Sequence, residues 1–166
     1  MELNLYPLRM YCALLESEGL LAAPVPGGQE LDRTVELVSC DSREVIPGTL
    51  FICKGAHFKP GFLVDAARSG AFAYVSEAPY PEVDLPCIQV SDLRRSMARV
   101  AVLYYNDPSQ HLKVIGVTGT KGKSSTAYYL KYILDEYLAS KGSACGVISS
   151  IDTYDGVENF ESHLTT

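Results

Sequence analysis

A glycine-rich segment between an apolar run and a long helical segment limits the folds open to this chain. It reads Gly-Val-Thr-Gly-Thr-Lys-Gly-Lys-Ser-Ser over residues 116–125. We predict a strand from Lys113 to Val117 before it and a helix from Lys123 to Ala139 after it. Glycines let backbone N–H groups approach a phosphate chain, and a helix N-terminus adds partial positive charge there. The arrangement therefore predicts a nucleotide-binding α/β unit.

Two side chains at the end of this segment suit the chemistry of a nucleoside triphosphate. The ammonium group of Lys123 would lie against the β- and γ-phosphates, and the Ser124 hydroxyl would ligate Mg²⁺. The common phosphate-loop pattern GxxxxGK[ST] has a glycine five residues before Gly122, whereas this chain has Val117 there. A helix N-terminus with a glycine turn that binds nothing is the alternative, and the strand–loop–helix context favours the phosphate loop.

The chain before this segment alternates short apolar runs with segments of helical period, a pattern typical of α/β domains. Helices are predicted to start at Pro7, to run from Phe62 to Arg68 with Gly70 as a stop signal, and to follow a capping Ser91. The apolar runs predict four short strands, over residues 35–40, 49–53, 71–75 and 87–90.

The segment Asn106-Asp107-Pro108-Ser109 ends the last of these helices and is predicted to be a linker between domains 1–110 and 111–166. The second domain has two predicted strands, of which Cys145 to Ile151 is the later one, and one helix. A nucleotide-binding α/β sheet usually has about five strands. The predicted helix is also apolar nearly all round, so it needs protein on most sides. We therefore expect a truncated second domain, in a fragment of a longer enzyme.

The charge balance and the cysteine pattern exclude several functions. The 14 Lys and Arg residues are outnumbered by 20 Asp and Glu, a net charge of −6, so no nucleic-acid partner is expected. Five scattered cysteines without a CxxC pair predict buried thiols in a reduced cytosol. Neither a signal peptide nor a membrane span is recognisable, so we expect a cytoplasmic protein without membrane insertion. The three histidines, His57, His111 and His163, share no catalytic spacing and are expected on the surface or in loops, while a binding role for the loop 54–59 around His57 stays open.

The spacing of the glycine-rich segment and two further motifs resemble one known family. The pattern TGTxGK[ST][ST], here Thr118 to Ser125, resembles the ATP loop of the Mur ligases, and within them the tripeptide-forming (MurE) type. The segment from Asp41 to Ile52, which begins Asp-Ser-Arg, is similar to the DSR-x-V-x-P-G-D-L-F-V segment of the family's first domain, which grips the UDP end of the substrate. Thr165 and Thr166 fall where the family has its TTP(E) segment, which contacts the muramoyl-peptide substrate.

The resemblance implies an α/β fold in which a small UDP-binding domain, 1–110, precedes the start of a P-loop ATP-binding domain, 111–166. It implies an ATP- and Mg²⁺-dependent ligase of peptidoglycan synthesis, a monomer when full length and inactive as 1–166 alone. Its partners would be UDP-N-acetylmuramoyl-L-Ala-D-Glu and a diamino acid, L-lysine or meso-diaminopimelate, joined through an acyl phosphate. Residue by residue, the resemblance places ATP at Gly119, Thr120, Lys121, Gly122, the catalytic Lys123, the metal-ligating Ser124 and Ser125, and substrate at Cys40, Ser42, Thr165 and Thr166.

The sequence departs from the family pattern at two positions and leaves some residues open to a structural interpretation. Lys121 replaces the usual asparagine of the ATP loop, and Leu164 stands where an asparagine often precedes the two threonines. Cys40 could instead be a core residue at a strand end, and Asp41 and Arg43 could form an ion pair that stabilises a turn. Other functions remain open: another Mur ligase, a folylpolyglutamate-type ligase and a non-catalytic nucleotide-binding module. The DSR-type segment argues against the folylpolyglutamate-type ligase.

Overall fold

The computed structural model describes residues 4–54 and 58–161 and separates into two compact units. The first unit extends to Leu112 and the second begins at Lys113. Their assignment to a UDP-binding and an ATP-binding domain stays a prediction. Predictions that fall on His57, His163, Leu164, Thr165 and Thr166 lie outside the described residues.

A four-stranded parallel sheet forms the centre of the first unit. Its strands are β1 (Leu37–Ser39), β2 (Thr49–Ile52), β3 (Ala71–Ser76) and β4 (Cys87–Gln89). They lie side by side in chain order, and all three pairings are parallel. β2 and β3 are buried along their whole length, as central strands of a parallel sheet with covered faces should be. The predicted α/β class is confirmed for this unit, and the structure adds that its sheet is parallel.

The helices cover both faces of this sheet. The α-helices are α1 (Leu8–Ser17), α2 (Pro60–Ser69) and α3 (Leu93–Tyr104), with short 3₁₀ helices at Gln29–Asp32 and Pro108–His111. Successive strand residues point to opposite faces, so Leu50 and Ile52 join the core formed with α1 and α3. Phe51 and Cys53 point to the other face and join the core formed with α2. The two cores hold the sheet and its loops in place.

The turn between β1 and β2 touches the end of α2 through two glycines. Gly70 ends α2 in the left-handed region with φ 112°, as its position after the predicted helix suggests. A Cβ atom there would lie 2.8 Å from the Cα of Pro47, so the close approach requires glycine. The Gly48 N–H donates to the Gly70 carbonyl oxygen at 3.1 Å.

The cap of α3 differs from the prediction. Asp92, not Ser91, caps the helix, because its carboxylate accepts the Arg95 N–H at 2.9 Å. The Ser91 hydroxyl instead donates a hydrogen bond to the Leu20 carbonyl oxygen at 3.3 Å. Asp and Ser are similarly good caps, so the sequence does not decide between neighbours.

The second unit contains α4 (Lys123–Ala139), with the bounds that the sequence predicts, and an antiparallel sheet of β5 (Val147–Ile148), β6 (Asp152–Tyr154) and β7 (Asn159–Glu161). The strand predicted from Lys113 to Val117 is wrong, because this segment has no regular secondary structure. The strand predicted from Cys145 to Ile151 is also too long. Strands need partners for their backbone groups, and among the described residues β5 pairs with β6 alone.

The second unit has little core of its own. Within its described part, Val147 is the one apolar side chain that is buried. Tyr129, Tyr132, Ile133 and Tyr137 of α4 are each at least 60% exposed. Across the described residues, no helix has the length and hydropathy needed to traverse a bilayer.

Candidate functional site

The glycine-rich loop leads directly into α4. Gly119 and Gly122 have φ angles of 151° and 76°, and Gly122 is the N-cap residue in the left-handed region. The Thr126 N–H donates to the Gly122 carbonyl oxygen at 2.9 Å, which closes the first helical turn. Among the residues that the structure describes, no side chain caps this end of α4. The first-turn amides therefore remain available to an anion, with the helix dipole of 17 residues behind them.

Lys123 folds back over this loop. Its ammonium donates a hydrogen bond to the Gly119 carbonyl oxygen at 2.8 Å. Lys121 and Ser125 are exposed and Ser124 is half-buried. The loop thus brings two cations and several backbone donors to one exposed helix end, a suitable arrangement for a phosphate chain.

A metal ion at this loop would have few protein ligands. The described residues contain no group of three or more His, Cys, Asp or Glu side chains that could hold a metal. Mg²⁺ typically takes one or two protein ligands and completes its shell with phosphate oxygens and water. A single hydroxyl, from Ser124, is compatible with that mode of binding once a nucleotide is present.

The second candidate site lies at the carboxyl end of β1. Cys40 is exposed there, so the interpretation of this residue as core is wrong. Asp41 and Arg43 form the ion pair that the sequence left open as an alternative, in which the Arg43 Nε lies 2.9 and 3.1 Å from the two carboxylate oxygens. These hydrogen bonds lower the pKa of the Asp41 carboxyl to about 2. Ser42, between them, is half-buried.

Hydrogen bonds within the segment 39–44 hold the turn that carries these residues. The buried Ser39 hydroxyl accepts the Asp41 N–H at 3.0 Å and contacts a carboxylate oxygen of Glu44 at 3.3 Å. The Arg43 N–H also donates to the Asp41 carboxylate at 3.0 Å. The carboxyl edge of a parallel sheet is where open α/β folds bind ligands, so a rigid turn there suits a substrate site.

Sequence reasoning did not single out two aromatic side chains that follow β2 and β3 at the same edge. Phe58, before α2, and Tyr80, in the β3–β4 loop, are half-buried and lie with ring centroids 5.4 Å apart. Tyr74, on β3, is 2% exposed, and its hydroxyl accepts the Tyr80 N–H at 2.9 Å. The sequence does show an aromatic residue in the loop after each of these strands, but no periodic pattern indicates that the two loops meet.

The structure therefore places the predicted residues in two groups, one in each unit. Gly119 to Ser125 form the loop at the start of α4, and Cys40 and Ser42 lie at the end of β1. His111 is exposed at the end of the 3₁₀ helix Pro108–His111 and belongs to neither group. The ATP, metal and substrate roles of these residues stay predictions.

Comparison with known proteins places the chain in a family. No family model matches it. It is 40% identical, over an alignment of 174 residues, to the UDP-N-acetylmuramoyl-L-alanyl-D-glutamate--L-lysine ligase of Enterococcus faecalis. The alignment covers 100% of this chain and 33% of that protein. It is 41% identical over 130 residues to the ligase of the same name from Streptococcus pneumoniae, with 78% and 26% covered. The chain therefore spans at most about a third of the length of these relatives.

A solved structure supports the fold. It is described as a UDP-N-acetylmuramoyl-L-alanyl-D-glutamate--2,6-diaminopimelate ligase and matches with a TM-score of 0.63 at 21% identity, over 90% of this chain and 28% of that one. With its parallel α/β sheet and these relatives, the chain belongs to the Mur ligase family. Within the family it matches the N-terminal region of the tripeptide-forming, MurE-type ligases, and the resemblance predicted from the sequence is confirmed.

Proposed function

We propose that this chain is the N-terminal part of an ATP-dependent ligase that adds the third amino acid to UDP-N-acetylmuramoyl-L-Ala-D-Glu in peptidoglycan synthesis. The observation that carries the proposal is 40% identity along the whole chain to a ligase with that named substrate. The chain spans about a third of that relative, so turnover would belong to the longer protein. We propose the cytoplasm as its location, as the sequence analysis expects.

ATP would bind at the start of α4. The uncapped first turn and the loop from Gly119 to Gly122 would receive the phosphates. Lys123 would move its ammonium from the Gly119 carbonyl oxygen to the β- and γ-phosphates, a short movement because that oxygen belongs to the same loop. Lys121 would add a second cation. Ser124 would hold Mg²⁺, which when bound supplies charge neutralisation at the phosphates.

The reaction forms one amide bond and cleaves one phosphoanhydride bond. A carboxylate oxygen of the D-Glu residue attacks the γ-phosphorus, ADP leaves, and an acyl phosphate results. The amine of the incoming amino acid then attacks the acyl carbon, and inorganic phosphate leaves as the amine loses a proton. Two anions must meet in the first step, so the cations at Lys121 and Lys123 and the helix N-terminus would lower its barrier.

The UDP end of the substrate would bind at the carboxyl edge of the sheet in the first unit. Cys40 and Ser42 face solvent at least in part on a turn that Ser39 and the Asp41–Arg43 pair hold rigid. Binding energy from a remote nucleotide can orient the reacting carboxylate. Thr165 and Thr166 would contact the muramoyl-peptide, as the resemblance implies.

L-Lysine is the amino acid that we propose. Two relatives, at 40% and 41% identity, are named as L-lysine ligases. The solved structure of a 2,6-diaminopimelate ligase has a similar fold but only 21% identity. The residues that select the amino acid would lie in the longer protein, so the proposal rests on these names.

The test is an assay of the longer protein that carries this chain. Phosphate release is measured with ATP, Mg²⁺ and UDP-muramoyl-dipeptide, and with L-lysine or meso-diaminopimelate as the amine. We expect phosphate and tripeptide product with L-lysine. Product with meso-diaminopimelate alone would contradict the choice of amino acid, and absence of product with both would contradict the ligase.

Residues 1–166 alone are proposed to be a nucleotide-binding module without turnover. The observation that favours this is the small core of the second unit, in whose described part Val147 is the single buried apolar side chain. A core of this size cannot support a rigid catalytic centre. Amide formation by 1–166 would contradict it.

A further inference from the structure

Tyr74 is a buried residue whose hydroxyl serves a loop rather than the core. Its side chain lies on the α2 side of the sheet with Phe51 and Leu63. The hydroxyl accepts the backbone N–H of Tyr80 at 2.9 Å, six residues further along the chain. Burial raises the pKa of Tyr74 to about 12, so the hydroxyl is neutral at physiological pH.

The loop held by Tyr74 meets the loop after β2. The ring of Tyr80 lies 6.2 Å from the ring of Tyr74 and 5.4 Å from the ring of Phe58. Phe58 in turn lies 6.3 Å from Phe62 on α2, and Phe62 is 42% exposed. The rings therefore form a continuous row from the buried strand β3 to the surface, in which Phe58 and Tyr80 pack against the core formed with α2.

A second anchor supports the same loop. The buried Ser76 hydroxyl donates to the Ala78 carbonyl oxygen and lies 3.4 Å from the Cys87 sulfur. The loop between β3 and β4 is thus tied down at Ala78 and at Tyr80. A loop fixed twice by buried hydroxyls presents its ring in one position, which is the requirement for a binding surface.

The location of the ring row relates it to the candidate substrate site. β1 and β2 are neighbours, and strands in a sheet are about 4.8 Å apart. Cys40 and Ser42 follow β1, and Phe58 and Tyr80 follow β2 and β3. All four residues therefore follow strands at the same, carboxyl edge of the sheet. Aromatic rings give bases a stacking surface that charged and polar residues do not.

We propose that Tyr74 is a positioning residue for the uridine nucleotide, because it fixes Tyr80 and so the Phe58–Tyr80 ring pair that forms one wall of the site. This inference rests on the proposed function, which supplies the uridine nucleotide. Tyr74 does not touch the ligand, and its effect passes through the Tyr80 N–H. The ring pair stacks on the base, while the turn at the end of β1 serves the remainder of the nucleotide.

Tyr11 offers a matched control for Tyr74. It is also a fully buried tyrosine of the first unit, but its hydroxyl has no hydrogen-bond partner among the described residues. Tyr11→Phe removes a hydroxyl from the core without releasing a loop. Tyr74→Phe removes a hydroxyl of the same kind and leaves the Tyr80 N–H without its acceptor.

The experiment measures UDP binding to residues 1–166 by calorimetry and exchange of the Tyr80 amide by NMR. We expect Tyr74→Phe to raise the Kd for UDP about fivefold and to speed exchange at Tyr80, since a neutral hydrogen bond is lost. Tyr11→Phe should change neither. Tyr80→Phe should bind UDP within about twofold of the wild type, because the ring and the N–H remain, whereas Tyr80→Leu should bind more weakly.

The outcomes separate this inference from the proposed function. Wild-type affinity in Tyr74→Phe, with faster exchange at Tyr80, would show that the loop anchor is merely structural and would overturn the positioning role. Equal affinity in Tyr80→Leu would overturn the ring wall. Failure of the folded wild-type chain to bind UDP at millimolar concentration would overturn the uridine site itself, and the positioning role with it.

Discussion

The ammonium of Lys123 donates a hydrogen bond to the carbonyl oxygen of Gly119, four residues earlier in the chain and at the other end of the glycine turn. The bond holds a positive charge over a loop whose helix has no side-chain cap. It satisfies the ammonium without burying it, because Lys123 is exposed. A phosphate chain can therefore replace the carbonyl oxygen at little cost.

This relationship predicts the effect of Lys123→Ala in the longer ligase. We expect turnover to fall roughly 100-fold or more, because the charge serves the transferred phosphate. The fold should be unchanged, since alanine suits a first helical turn and the ammonium makes no core contact. Phosphate release and circular dichroism measure the two effects.

Lys141→Ala is the matched control. Lys141 is also exposed, and its ammonium lies 4.0 Å from the centre of the Tyr137 ring, beyond the end of α4. Lys141→Ala removes the same charge, but from a position outside the glycine-rich loop, so turnover should change little. Turnover near the wild-type rate in Lys123→Ala would contradict the phosphate-loop assignment.

The turn after β1 should keep its ion pair in acid. The Arg43 hydrogen bonds hold the pKa of Asp41 at about 2, below the ordinary value of about 3.9. A lowered aspartate pKa stabilises the folded turn above the ordinary pKa, and this contribution is lost as the pH falls through about 2. An NMR titration of the Asp41 carboxyl should therefore give a midpoint near 2.

Arg43→Gln tests the cause of this shift. It removes the guanidinium while the backbone N–H of residue 43 remains a donor. The midpoint for Asp41 should then rise toward the ordinary value, though not fully, because that N–H also lowers it. An unchanged midpoint would show that the turn, rather than the guanidinium, sets the pKa.

The elements that local patterns determine could be predicted, and those that depend on distant partners could not. The bounds of α4 and the stop at Gly70 follow from residues within a few positions of each helix end. The segment from Lys113 to Val117 is as apolar as a strand, but a strand forms only where another offers hydrogen bonds. The contact between Phe58 and Tyr80 joins loops that no periodic pattern relates.

The same distinction holds for the candidate sites. The phosphate loop is contiguous, so its residues could be named before its geometry was known. The edge of the sheet collects residues after three different strands, and only Cys40 and Ser42 belong to a recognisable motif. Cys40 lies just after the described strand β1, where the chain leaves the sheet, and this explains its exposure.

The contact between Gly70 and Pro47 predicts a destabilising substitution. Gly70→Ala should lower the free energy of unfolding by about 1–3 kcal/mol, because φ is in the left-handed region. The added Cβ would also lie 2.8 Å from the Pro47 Cα. Gly27→Ala is the control, since a Cβ there meets nothing within 4 Å and should change stability by less than about 0.5 kcal/mol. Urea unfolding measures both, and equal values would show that the Pro47 turn yields without cost.

The difference in burial between the two units predicts a difference in hydrogen exchange within residues 1–166. Residues 35–105 contain the parallel sheet and most of the two cores, whereas residues 113–151 bury only Val147 among their apolar side chains. A helix such as α4 is marginal in water unless an apolar face is covered, and Tyr129, Tyr132 and Ile133 are exposed. Local opening should therefore be frequent in the second unit, and its amides should exchange roughly 100-fold faster or more than those of β3.

The measurement is made over a range of protein concentrations, because exposed apolar faces favour association, which would protect α4. Equal protection of both units in the monomer would show that residues after Lys113 form a complete, stable domain and would contradict the expectation of a truncated one.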